Sequence, residues 1–132
     1  MSVFVDTSAF YAVFDADDEE HPRARGAWEG LVSGEDLLFT SNYVLVETLA
    51  LLQSRLGVEA VRAFEDAVAP LVRVLWVDRG VHREAVTAVL TAGRRRLSLV
   101  DCSSFALMRR HGLDTAFAFD DHFPEQGFAA VP

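Results

Sequence analysis

Short apolar, β-branched runs alternate with helix-patterned segments along the whole chain, and that alternation restricts the fold more than any other feature. Val3-Phe4-Val5, Leu37 to Thr40, Leu71 to Val77, Thr115 to Phe119 and Phe128 to Val131 read as strands. Between them lie helical patterns over Thr7 to Phe14, from His21-Pro22 to Gly34, Ser41 to Gly57, Val58 to Ala69, Gly80 to Ala92, and from Asp101 to Gly112. Asp6 or Thr7 suits the first N-cap, Asp101 the last, and Gly112 a C′ glycine. Asp15 to Glu20 form an acidic loop. Strands alternating with helices predict an α/β fold: a parallel sheet of four to five strands with helices on both faces. The 132 residues, 51% hydrophobic, suit one domain spanning 1–132. No repeat or linker divides them.

All 12 basic residues are Arg. Without Lys there is no P-loop and no Schiff-base chemistry. Response-regulator receivers and haloacid-dehalogenase-type phosphatases, which set a Lys beside an Asp-rich site, are disfavoured too. In addition, Ser8 stands two residues after Asp6, where such phosphatases carry a second Asp. A net charge of −8 disfavours nucleic-acid binding by bulk charge and favours a basic partner or a cation-recruiting site. Cys102, the single cysteine, excludes an internal disulfide and suits a reducing compartment. No apolar run reaches the ~18 residues of a membrane span, and MSVFVDTSAF lacks a basic signal region. A cytoplasmic location is expected.

Four acids interrupt apolar surroundings: Asp6 after SVFV, Glu47 in NYVLVETLALL, Asp101 in LSLVDCSSFAL and Asp120 after AFAF. Asp6 and Asp120 end strands, and ligands of open α/β sheets bind outside the carboxyl ends of strands. Asp101 begins a helix, and Glu47 lies within two turns of a helix start, so both reach the same edge. Taken singly, Asp6 and Asp101 serve equally well as N-caps, and Asp120 as a turn residue. Glu47 is harder to explain, because its helix is apolar nearly all round and should be buried, and Arg55 is not on an adjacent turn. Converging carboxylates repel and raise one another's pKa, and a hard divalent cation relieves this. Metal-assisted phosphodiester hydrolysis is the chemistry expected.

VDTSAF, TSNYVLVETLALL, VDCSSFALMRRHG and FAFDDHFPEQGF together resemble, in order and spacing, the PIN-domain nucleases. The likeness is greatest to the VapC toxins of bacterial toxin–antitoxin pairs and covers essentially the whole chain. The resemblance implies a Mg²⁺- or Mn²⁺-dependent ribonuclease acting on RNA, a homodimer, and inhibition by a basic segment of a cognate antitoxin. It places the family's four acids on Asp6, Glu47, Asp101 and Asp120, with Asp6 and Asp101 as the main direct ligands and Glu47 and Asp120 acting directly or through water. Asp120 is preferred to the adjacent Asp121 because it follows the strand. Ser8 matches the small hydroxyl residue beside the first acid and is expected to orient a carboxylate, and Asn42 to orient groups at its helix start. The alternatives are a non-catalytic PIN-like interaction module and an RNA-processing nuclease that is not a toxin.

Other polar residues have simpler explanations. Arg94, Arg95 and Arg96 suit a solvated segment as well as contact with RNA phosphates. The helix dipole accounts for Arg109, Arg110 and His111. His21 is expected to cap its helix and Cys102 to be a core residue. His122 lies near the expected site and suits a supporting role beside its acids, with a packed surface residue as the simpler reading. Trp28 and Trp76 are assigned to the core or a dimer interface.

Overall fold

A computed structural model describes residues 1–132. Its strands are β1 (Ser2–Val5), β2 (Leu37–Ser41), β3 (Arg73–Leu75), β4 (Thr115–Phe117) and β5 (Ala129–Val131). Its helices are α1 (Thr7–Phe14), α2 (His21–Ser33), α3 (Asn42–Leu56), α4 (Val58–Ala67), α5 (Arg79–Ala92), α6 (Leu99–Arg110) and α7 (His122–Glu125). The five strands form one parallel sheet in the order β3-β2-β1-β4-β5.

That order places the site. From β1 the chain moves outward through α1 and α2 to β2, then through α3 and α4 to β3. It returns through α5 and α6 to β4 on the other side of β1. With right-handed crossovers, the first four helices cover one face, and α5 and α6 cover the other. The strand order reverses between β1 and β4, and the crevice of an open α/β sheet lies there, beyond the carboxyl ends of the strands.

Ten Phe make much of the core. Phe4, Phe10, Phe64, Phe117 and Phe123 are fully buried. Phe10 meets Phe64 edge-on at 5.1 Å, joining α1 to α4. Phe105 of α6 packs on Phe123 of α7 at 5.0 Å and on Phe128 at 5.7 Å. This cluster fixes α6 and α7, which carry site residues, to one another.

Several expectations change. The helix at Ser41 to Gly57 is not buried all round: α3 buries only Val44, Thr48 and Leu52, one stripe at fourfold spacing, and Val46 is 69% exposed. Its apolar pattern is wide because Leu and Val also occupy outward positions. The buried helix is α6, inaccessible from Asp101 through Met108. Asp101 is its N3 residue, and Ser98 is the cap. The third strand is shorter than expected because a 3₁₀ turn takes Ala69–Leu71. The strand before Asp120 stops at Phe117, where backbone groups turn to other partners. Trp76 is 70% exposed, whereas Trp28 packs against the core. Gly112, at φ +65°, ends α6 as expected of a C′ glycine.

Candidate active site

The carboxyl ends of β1 and β4 are locked together up to the site. The Asp6 amide donates to the Phe117 carbonyl at 3.0 Å. Asp6 caps α1, and its Oδ2 accepts from the Ser8 amide at 3.1 Å and the Ser8 hydroxyl at 2.6 Å. The same hydroxyl accepts from the Phe119 amide at 3.0 Å, from 111 residues along the chain. Ser8 therefore orients Asp6 and also holds the loop that carries Asp120. On the other side, the Thr7 hydroxyl donates to the Val44 carbonyl at 3.4 Å and accepts from Thr48 at 3.1 Å, fastening α1 to α3.

Asp101 arrives from the opposite face. It is buried in the first turn of α6 and forms a capping box with Ser98: its amide donates to the Ser98 hydroxyl at 3.0 Å, and its Oδ2 accepts from the Ser98 amide at 3.2 Å. α6 runs back against the strand direction, so its N-terminus lies at the strands' carboxyl edge, and its dipole favours an anion there. Asp120 follows β4, and its Oδ1 accepts from the His122 amide at 2.8 Å. Asp121 is exposed and makes no capping hydrogen bond.

The fold therefore brings Asp101 and Asp120 together, while Asp6 lies outside their group of ligand atoms but within reach of both charges. Burial pushes the Asp6 carboxyl up to about 7; the Ser8 bonds oppose this, while the charges of Asp101 and Asp120 reinforce it. Burial likewise raises Asp101 to about 6, with the Asp120 charge adding to the rise and Ser98 and His122 opposing it. Three carboxylates that repel this way form an anionic, oxygen-rich cluster suited to a hard divalent cation.

His122 belongs to this cluster itself, where a supporting role or a packed surface residue was expected. One ligand atom each from Asp101, Asp120 and His122 lies within 4.8 Å of the others. The imidazole Nδ1 is 2.8 Å from Asp120 Oδ1 and 3.4 Å from Asp101 Oδ2. The angles at these contacts do not make hydrogen bonds, so Nδ1 is buried without a hydrogen-bond partner. The signal in the sequence was the spacing Asp120-Asp121-His122, which places the ring one short turn from the carboxylate.

Glu47 and Asn42 lie differently. Glu47 is exposed, outside that group of ligand atoms. It precedes Leu51 and Arg55 on one face of α3, and these two line an open cavity together with Thr7 and Ser8. The Asn42 Oδ1 accepts from the Val77 amide at 2.7 Å, so it secures the chain after β3. Of the arginines, Arg94 pairs with Glu125 at 3.1 Å, while Arg95 and Arg96 are exposed. His21 Nδ1 meets the Ala12 carbonyl at 2.7 Å, bracing α2 on α1. Cys102 is buried, and burial raises its thiol pKa, which makes it unreactive.

Along its whole length the chain is similar to known proteins. The chain is 38% identical over 130 residues to the 23S rRNA-specific endonuclease VapC20 of Mycobacterium tuberculosis, covering 98% of this chain and 97% of that protein. The crystal structure of Mycobacterium tuberculosis VapC20, described as a Sarcin-Ricin loop cleaving toxin, superposes with a TM-score of 0.86 at 36% identity, covering 98% of this chain and 99% of that one. FitAcB from Neisseria gonorrhoeae shares the fold at a TM-score of 0.69 and 18% identity, over 100% of this chain and 97% of that one. The profile of the family described as PIN domain matches residues 3–129, from β1 into β5. With the reversed strand order, the converging acids and a match of this extent, the chain belongs to the PIN-domain family.

Proposed function

We propose that this protein is a divalent-metal-dependent endoribonuclease, the toxin of a toxin–antitoxin pair, with Asp6, Asp101 and Asp120 as its central acids and Glu47 at the rim. The observation that carries the reading is the meeting of Asp101, Asp120 and His122 at the switch point, with the buried Asp6 near enough to feel both carboxylate charges and with raised pKa values at Asp6 and Asp101. The buried, unpartnered Nδ1 of His122 beside them fits a cation in the cluster. Mg²⁺ or Mn²⁺ held by these acids would activate water and stabilise charge on a phosphoryl oxygen. The chain's own residues supply position. Ser8 fixes the Asp6 carboxylate, Ser98 fixes that of Asp101, and the His122 amide fixes that of Asp120. The exposed Glu47 carboxylate adds charge or a water-mediated contact from α3.

The substrate class proposed is ribosomal RNA, supported by the similarity to VapC20 along the whole chain. A basic antitoxin segment suits the net charge of −8. Homodimerisation is proposed on the likeness to the family. No helix is long and apolar enough to cross a membrane.

The test is incubation of the purified chain with ribosomes and with naked RNA, with Mg²⁺ or Mn²⁺ and with chelator. Discrete, chelator-sensitive cleavage in large-subunit RNA is expected. Its absence across both metals, from folded protein, would refute the nuclease reading. Expression of the chain alone should arrest growth, and Asp101→Asn should not. Normal growth despite soluble, RNA-cleaving protein would remove the toxin role and leave the nuclease.

A further inference from the structure

We infer that His122 is a nitrogen ligand of the cation held by Asp101 and Asp120, giving this site a preference for Mn²⁺ over Mg²⁺. This rests on the metal site proposed above and assigns it a mixed oxygen–nitrogen donor set.

The argument begins with the orphaned atom. A buried imidazole nitrogen without a hydrogen bond is unfavourable unless something else occupies its lone pair. Nδ1 lies 2.8 Å from one carboxylate oxygen and 3.4 Å from another, without hydrogen-bond angles to either. Adjacent ligands of an octahedral ion with bonds of about 2.1 Å are about 3 Å apart. The two distances from Nδ1 are therefore those of neighbouring ligands of one ion, and the two carboxylates lie close enough to share it, one ligand atom from each of the three residues falling within 4.8 Å of the others.

The ring is also held where a ligand needs to be. Its own amide is bonded to Asp120 at 2.8 Å. The next residue, Phe123, is fully buried against Phe105 of α6, one turn beyond Asp101. One aromatic contact thus joins the helix carrying His122 to the helix carrying Asp101. Mg²⁺ selects oxygen donors and gains little from imidazole, whereas Mn²⁺ accepts nitrogen and binds such sets more tightly.

The competing role for His122 is a cationic counter-ion between the two carboxylates. The two roles predict opposite signs. Removal of a ligand weakens metal binding, whereas removal of a positive charge strengthens it.

The test compares Mn²⁺ and Mg²⁺ binding by calorimetry for the full chain, His122→Ala and His122→Asn, with melting curves to verify folding. Electron spin echo spectra of bound Mn²⁺ report any imidazole ¹⁴N directly. The expected result is nitrogen coupling in the wild type that is lost in both variants. Mn²⁺ affinity should fall about ten-fold or more in His122→Ala, a loss at least equal to that from disturbing a ligand's support, while Mg²⁺ affinity changes little. His122→Asn places an amide oxygen near the position of Nδ1, so its preference should move towards Mg²⁺, and it carries the test if the Ala variant does not fold. Wild-type Mn²⁺ without nitrogen coupling, or affinity unchanged or increased in the variants, overturns the inference. RNA cleavage without nitrogen coupling removes the ligand and keeps the nuclease. Nitrogen coupling without cleavage of any RNA does the reverse.

Discussion

At the scale of single residues, charge and burial make different demands on the acids. Asp101→Asn keeps an oxygen that accepts from the Ser98 amide and removes a charge that repels Asp120. Its metal-free form should melt no lower than wild type at pH 7.5, while RNA cleavage is lost and added Mn²⁺ raises its melting temperature less. Thermal melts with and without metal, beside a cleavage assay, check all three. Glu47 is exposed, so Glu47→Gln should change stability by no more than about 0.5 kcal/mol. If its carboxylate serves the site, cleavage falls and recovers partly with increasing Mn²⁺; unchanged cleavage across a Mn²⁺ titration removes it from the site. The acids were legible because a carboxylate ending an apolar run is costly without a purpose. The burial argument for Glu47 failed, because an apolar helix pattern does not tell a core from a surface that keeps its Val and Leu exposed. His122 was legible as a neighbour of the site but not as a member of it, because only the burial of Phe123 shows that the segment is held against the acids.

Elements reach the site through a few cross-ties. Ser8 joins the start of α1 to the loop after β4 through one hydroxyl. Ser8→Ala removes a bond that favours the Asp6 anion, so that carboxyl should titrate at still higher pH, and the acid limb of the cleavage profile should move upward with it. The stranded Phe119 amide should cost about 1–3 kcal/mol. An unmoved pH profile in a folded Ser8→Ala variant would refute the orienting role. The strands and most helices were readable from periodicity and caps, since buried parallel strands require unbroken apolar runs. What escaped was short or set by distant partners: α7, four residues with an internal Pro, and the end of β4, decided by Ser8 more than a hundred residues away. Ser98 took the cap from Asp101 because its hydroxyl, three positions earlier, reaches the Asp101 amide.

For the whole molecule, the carboxylates couple stability to pH and metal. Asp6 and Asp101 bind protons more tightly folded than unfolded, so between their unfolded value near 4 and about 7 the native state holds more protons. Their contribution to metal-free stability therefore falls as pH rises through that window. A cation must displace these protons, so its apparent affinity rises over the same window and levels off above it. The stabilisation by a fixed concentration of Mn²⁺, about 2.7 kcal/mol where that concentration is a hundred times the dissociation constant, should be larger at pH 8 than at pH 6. Melting curves at both values, with and without Mn²⁺, test this; equal shifts would mean that the metal does not bind at these acids.

The placement of β4 has a further consequence, in time. The strand that brings Asp120 to Asp6 is fourth in the chain but pairs directly with the first, lying between β1 and β5. Contacts that close such long loops form late and slowly. During synthesis Asp6 is made almost at once, and Asp101 and Asp120 follow only in the last third of the chain. Until β4 docks, the chain holds the chemical groups of a nuclease and none of its competence. The interval before activity is thus set by topology.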